Sequence, residues 1–178
     1  TDHYFKYEPI KWRVLNRNGN DAFLLADVAL DDQKYNTNYE DVTWETSSMR
    51  SWLNGYGASV NQPKTDYSRK NFIDSAFTST QKNAIKTTNV VNNNNIDYGT
   101  AGGNNTSDKV FLLSESEDYN TDMAEGYGFV KDSETDDEAR RSRCSNYAYA
   151  MGTYRSYDTE YTKFDGNSGW GPRLPGPY

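Results

Sequence analysis

Histidine and cysteine are almost missing from this chain, with one of each, and their scarcity removes whole classes of chemistry. His3 is the lone imidazole, so no histidine pair can form, and its place two residues from Thr1 makes a Ser-His-Asp relay unexpected. Cys144 alone can form neither an internal disulfide nor a thiolate metal cluster. Positive charge is also in deficit: 19 Lys and Arg stand against 26 Asp and Glu, a net charge of −7. Nucleic acid and anionic membrane both require a basic footprint, so neither is expected as a partner. No segment approaches the roughly 20 consecutive apolar residues that cross a bilayer, and membrane insertion is not expected. Thr1 does not open a basic-then-apolar leader; for an exported protein the leader would lie upstream.

What is abundant is aromatic and polar at once. Only 34 % of residues are hydrophobic, yet 15 % are aromatic, including 15 Tyr and 4 Trp. Disordered chains lack such rings, whereas a few large rings bury enough area to fold a polar chain. At 178 residues the chain has the length of a single domain, and residues 1–178 are read as one.

Residues 10–15, Ile-Lys-Trp-Arg-Val-Leu, alternate in polarity and read as a half-buried strand. Asn18-Gly19-Asn20 supplies a turn, and residues 22–26 follow as a second, more fully buried strand of a hairpin. Three helices are expected. The first lies within residues 43–54, started by Thr43 or Thr46, with a stripe of Met49, Trp52 and Leu53 and a stop at Gly55. The second covers residues 79–86, where Thr78 and Gln81 have capping-box spacing and Ala84-Ile85 face inward. The third runs from a Thr135/Glu138 capping box to Gly152, with Cys144, Tyr147, Ala148 and Met151 on one face. On its other face Asp136–Arg140 and Asp137–Arg141 would pair. Asn92–95 and the Gly102-Gly103-Asn104-Asn105 run are turn chemistry bracketing Tyr98, and residues 109–113 read as a buried strand. Trp12, Trp44, Trp52, Phe111 and Leu113 are expected in the core.

Chemistry is hard to place on these residues. Arg140, Arg141 and Arg143 could activate Cys144, but the helical stripe favours a buried structural thiol. Acid pairs occur at Asp31-Asp32, at Glu115 with Glu117-Asp118, and at Asp136-Asp137-Glu138. Glycoside hydrolysis needs two carboxylates about 5–10 Å apart across a cleft, which adjacency does not provide. A calcium ion near Glu115, Glu117, Asp118 and Asp122 is set against a simple solvated acidic loop, which the non-EF-hand spacing favours. No metal or cofactor is therefore expected, and the chain is read as not an enzyme. The Tyr-bearing loops rich in Asn, Ser, Thr and Gly carry the case for binding, because Tyr offers rigid contact area with a polar tip.

Several segments carry a resemblance. They are Tyr4-Phe5-Lys6-Tyr7-Glu8-Pro9-Ile10-Lys11-Trp12, Thr43-Trp44-Glu45-Thr46-Ser47, Arg50-Ser51-Trp52-Leu53-Asn54-Gly55 and Asp108-Lys109-Val110-Phe111-Leu112-Leu113. Together they resemble the uncharacterised-domain family numbered 6273, found in bacterial surface and exported proteins. The resemblance implies an α+β, C-type-lectin-like single domain of the formylglycine-generating-enzyme type. Such a domain has a mixed or antiparallel sheet that joins the terminal strands, two to three helices and long polar loops. The family's late motif stands here as Trp170-Gly171-Pro172-Arg173-Leu174-Pro175-Gly176, after which the chain is read as lacking the C-terminal strands. Sugar-binding signatures are replaced by Gln62-Pro63-Lys64 and Glu8-Pro9-Ile10, and the oxidase branch would need a cysteine pair.

The reading that results is a non-catalytic recognition module of an extracellular or surface-displayed bacterial protein, binding a protein or glycan at a cell surface. Tyr154, Tyr157, Tyr161, Trp170 and Arg173 are its candidate ligand contacts. The alternative is a structural spacer domain without its own ligand. Oligomeric state is left open.

Overall fold

The computed structural model describes residues 4, 6–95, 97–119, 121–130, 138–155, 167–168 and 171–173. In chain order, β1 (Trp12–Asn18), β2 (Asp21–Ala26) and β3 (Val28–Ala29) are followed by a 3-10 turn at Trp44–Thr46. Then come α1 (Ser48–Asn54), α2 (Phe72–Ala76), α3 (Ser79–Ala84), β4 (Thr88–Val90) and β5 (Thr106–Asp108). The rest are α4 (Glu115–Asp118), α5 (Asp122–Gly126), a 3-10 turn at Glu138–Arg140, β6 (Ser142–Cys144), α6 (Asn146–Met151) and β7 (Asn167–Ser168). Helices and small antiparallel and mixed sheets thus share the chain, in two compact units.

The first unit comprises Thr1–Asp32 and Ser116–Gly171. Its hairpin forms where the alternation and the Asn-Gly turn place it: β1 and β2 are antiparallel, closed by the pair Asn18 and Asp21. A register shift between Val14 and Asn16 leaves Leu15 as an extra residue, and it is buried. Such a bulge reverses which side the following residues face. Trp12, expected in the core, is 38 % exposed, and Leu24 of the supposedly buried strand is 41 % exposed. Register explains both: Val14 lies opposite Leu24 and Trp12 opposite Ala26, so these side chains share the more open side. Among the described residues β1 pairs only with β2, and no chain-end strand joins it. The strand that does come from late in the sequence, β7, pairs antiparallel with β6, which lies parallel to β3.

The expected third helix is corrected. Residues 131–137, including Thr135, Asp136 and Asp137, lie outside the described residues, as do His3, Tyr157, Tyr161 and Trp170. Cys144 lies on β6 opposite Ala29. The helix begins only after it, because Ser145 is extended and its hydroxyl accepts from the Ala148 amide. Ala148 is fully buried, whereas Tyr147 and Met151 are nearly half exposed, so the proposed apolar stripe does not form. Cys144 is buried nonetheless, with the Arg155 Nε donating to its Sγ at 3.2 Å.

The second unit comprises Gln33–Glu115 and Pro172–Tyr178. The single helix expected within residues 43–54 is a 3-10 turn followed by α1, separated at Ser47. Ser47 is the cap that neither Thr43 nor Thr46 provides, its hydroxyl accepting from Arg50 N at 3.1 Å. Gly55 closes α1 at φ 72°, and a Cβ there would lie 2.8 Å from the Asn71 amide nitrogen. Only glycine suits both the left-handed backbone and the close approach. α3 carries the expected Thr78/Gln81 capping box with both reciprocal bonds. It buries no residue, however, and Ala84 faces solvent rather than the core.

The core of this unit is Trp44, Leu53 and Val90, with Tyr35, Met49, Trp52, Phe72, Val110, Phe111 and Leu112 packed around it. Residues 109–113, expected as a strand, are irregular; the strand is β5, just before them. Their backbone groups are satisfied by side chains instead of a ladder. Asn54 Oδ1 accepts from Lys109 N and Val110 N, and its Nδ2 donates to Val110 O. Arg173 takes the carbonyls of Leu112 and Leu113. Buried backbone needs partners, but any geometrically suitable donor or acceptor will serve.

Candidate binding surface

β4 and β5 pair antiparallel, with Val90 opposite Thr106, so residues 91–105 form one long hairpin loop. Its sequence, rich in Asn and Gly, provides side chains that mimic backbone turns. Asn95 Oδ1 accepts from the amides of Asp97 and Tyr98, and Asn94 Oδ1 from Gly102. Asn95 N donates to Thr100 O, which narrows the tip. Lower down, Asn92 N donates to Asn105 Oδ1, and Asn92 Nδ2 to Asn104 O. The loop also reaches the 3-10 turn, where Asn104 Nδ2 donates to Glu45. Tyr98 stands at the tip with 67 % of its surface exposed.

Behind the loop lies a polar knot. Asp108, at the end of β5, is fully buried and accepts from four side chains: Trp44 Nε1, Arg50 Nε, Tyr56 OH and Thr106 Oγ1. The distances run from 2.7 Å for Thr106, through 3.0 Å for Trp44 and Tyr56, to 3.1 Å for the longer of the two Arg50 contacts. The Arg50 guanidinium also donates to Glu45 O and lies over the Tyr56 ring at 4.9 Å. Burial, and next the Asp108 charge, push the Tyr56 phenol up to about 12. It therefore remains a donor at neutral pH. A raised acid favours the folded state below the ordinary phenol value, and that contribution is lost as pH rises from about 10 toward 12. Tyr35, beside Trp44, is also raised, chiefly by burial.

The five candidate contacts divide. Tyr154 follows α6 in the first unit and is 74 % exposed. The neighbouring Arg155 is tied down, its guanidinium 4.3 Å from the Tyr149 ring and donating to Cys144. Tyr157, Tyr161 and Trp170 lie outside the described residues. Arg173 belongs to the second unit and is only 6 % exposed. It donates to Leu112 O, to Val91 O at 3.1 Å and to Asn92 Oδ1 at 3.2 Å, and it stacks over Phe111. The guanidinium is thus spent on the root of the 91–105 loop. Of the two described residues, Tyr154 is exposed and Arg173 is buried.

Arg173→Lys is expected to cost on the order of 2 kcal/mol, because an ammonium cannot satisfy the carbonyls that the planar fork reaches. Amide exchange should rise across residues 91–105. A variant that kept its thermal stability and its exchange protection would return Arg173 to the list of surface contacts.

The acids weighed for calcium are parts of helices. Glu115, Glu117 and Asp118 lie in α4, and Asp122 opens α5 behind the Thr121 cap. Among the described residues no three His, Cys, Asp or Glu side chains group as a metal site. No helix among them is long and apolar enough to cross a membrane.

Sequence reasoning marked the Asn runs and Tyr98 but missed the Asp108 knot, whose members are scattered over some sixty positions. No curated protein and no solved structure matches the chain. The family model described as Domain of unknown function (DUF6273) matches residues 19–172, and the chain, matched over well more than half its length, belongs to that family.

Proposed function

We propose that this chain is a non-catalytic recognition module of an exported or surface-displayed bacterial protein, built on a C-type-lectin-like plan. Its ligand is a protein or glycan, met by Tyr- and Asn-rich loops. The observation that carries the reading is the 91–105 loop, ordered by its own Asn side chains while Tyr98 is held out in solvent. Loops fixed on a rigid scaffold lose little entropy on binding, and tyrosine is the side chain such paratopes favour. Amides of the loop provide hydrogen-bond donors and acceptors without charge, which suits a glycan or a polar protein surface. Tyr154, exposed in the other unit, is a further candidate contact.

A glycan array and a pull-down against host-surface proteins, run with the wild type and with Tyr98→Ala, test the reading. Loss of at least about tenfold in affinity is expected for Tyr98→Ala, the scale of an aromatic hot spot. Clear silence of the wild type in both assays would favour the spacer alternative.

A further inference from the structure

Two Asn-Gly pairs occur in the sequence, Asn18-Gly19 and Asn54-Gly55, and the fold treats them oppositely. The amide nitrogen after an asparagine can attack that side chain's Cγ. A C–N bond closes a succinimide ring, the Cγ–Nδ2 bond breaks, and ammonia leaves with the transferred proton. Water then opens the ring at either carbonyl, giving aspartate or isoaspartate. Glycine makes this fastest, because no Cβ shields its nitrogen. The step still requires a side chain free to swing onto the following nitrogen, and a nitrogen free to attack.

Asn54 meets neither condition. Its Nδ2 donates to Arg50 O and Val110 O, at 3.1 and 2.8 Å. Its Oδ1 accepts from Lys109 N and Val110 N, each at 3.0 Å. The Gly55 N–H, the would-be nucleophile, donates to Ser51 O as the helix cap. Asn18 is the opposite case. Asn18, Gly19 and Asn20 are all exposed, and nothing lies within 4 Å of where a Gly19 Cβ would be. Gly19 is the first central residue of the two-residue turn, with φ 59°, a position whose N–H points away from the strand ladder.

We propose that Asn18-Gly19 is a site of spontaneous deamidation in the folded protein, with water as the only co-reactant, while Asn54-Gly55 is protected. The conversion acts on the hairpin. A carboxylate at position 18 faces Asp21 across the closing pair, and like charges directly opposite destabilise a sheet. Isoaspartate also adds a main-chain methylene to a loop whose length sets the strand register.

The experiment incubates the folded chain in mildly alkaline buffer and maps both pairs by peptide mass spectrometry, after digestion under acidic conditions. Asn18 is expected to convert more than about tenfold faster than Asn54, because reaction at Asn54 waits on local opening. A parallel incubation in denaturant should bring the two rates together, and Asn18→Gln should abolish the mass gain at the turn. Comparable rates in the folded state would overturn the proposal. So would an unmodified Asn18, or a rate gap that survives in denaturant.

Discussion

Replacing Asp108 by alanine is expected to destabilise the unit of Gln33–Glu115 and Pro172–Tyr178 by about 3–5 kcal/mol. The carboxylate is fully buried, and the Arg50 side chain that it faces at 2.9 Å is only 11 % exposed. Deleting the acid strands that guanidinium without an anion and removes the shared acceptor of Trp44, Tyr56 and Thr106. Breaking one side of a buried pair costs far more than the pair is worth against an apolar substitute. Joint replacement by Arg50→Met and Asp108→Leu should therefore be milder than Asp108→Ala alone. Asp108→Asn keeps the shape and some acceptor capacity and should fall between. Urea unfolding followed by tryptophan fluorescence reports on this unit through Trp44 and Trp52. A loss below about 1 kcal/mol for Asp108→Ala would mean that the knot contributes no more than an exposed ion pair.

Trp44→Ala should be equally damaging, again about 3–5 kcal/mol, through transfer free energy and the cavity left behind. Trp44 is 2 % exposed, packs with Leu53 and Val90, and donates its indole N–H to Asp108 at 3.0 Å. Trp44→Phe restores much of the ring but removes one donor of the knot, so it should cost less than the alanine variant. Trp52→Ala should cost less than Trp44→Ala, because Trp52 is half-buried at the core edge, its ring 5.4 Å from that of Phe72. Denaturation midpoints at equal slope check the order. Equal losses for Trp44→Ala and Trp52→Ala would show that the expected distinction between the core centre and its edge is wrong.

The two variants also bear on the loop. Asp108 and Thr106 end and begin β5, at the base of residues 91–105, so loosening the knot should loosen the presentation of Tyr98. Any loss of ligand in these variants must therefore be read beside their stability, whereas Tyr98→Ala acts on an exposed side chain.

By itself the sequence determined the features whose partners are close along the chain. The Asn-Gly hairpin, the Thr78/Gln81 capping box, and the stops at Gly55 and Gly152 all appear where the residues indicate. Each depends on backbone groups within a few positions, so local chemistry suffices to specify it. Membership of the family was legible for a related reason, since it rests on the order of residues along the chain, over residues 19–172, and needs no fold to be read. Only tertiary structure decided whether residues 109–113 would form a ladder or lie irregular. Asn54 supplies their hydrogen bonds from 56 positions away, and Arg173 from 61. It likewise turned Arg173 from a candidate contact into the anchor of a loop, through a bond to Val91 spanning 82 positions. It also placed Cys144 on a strand, because pairing with Ala29 competes with the helix that its spacing suggests. A buried backbone group accepts whichever partner the fold brings within reach, and sequence spacing does not encode that choice.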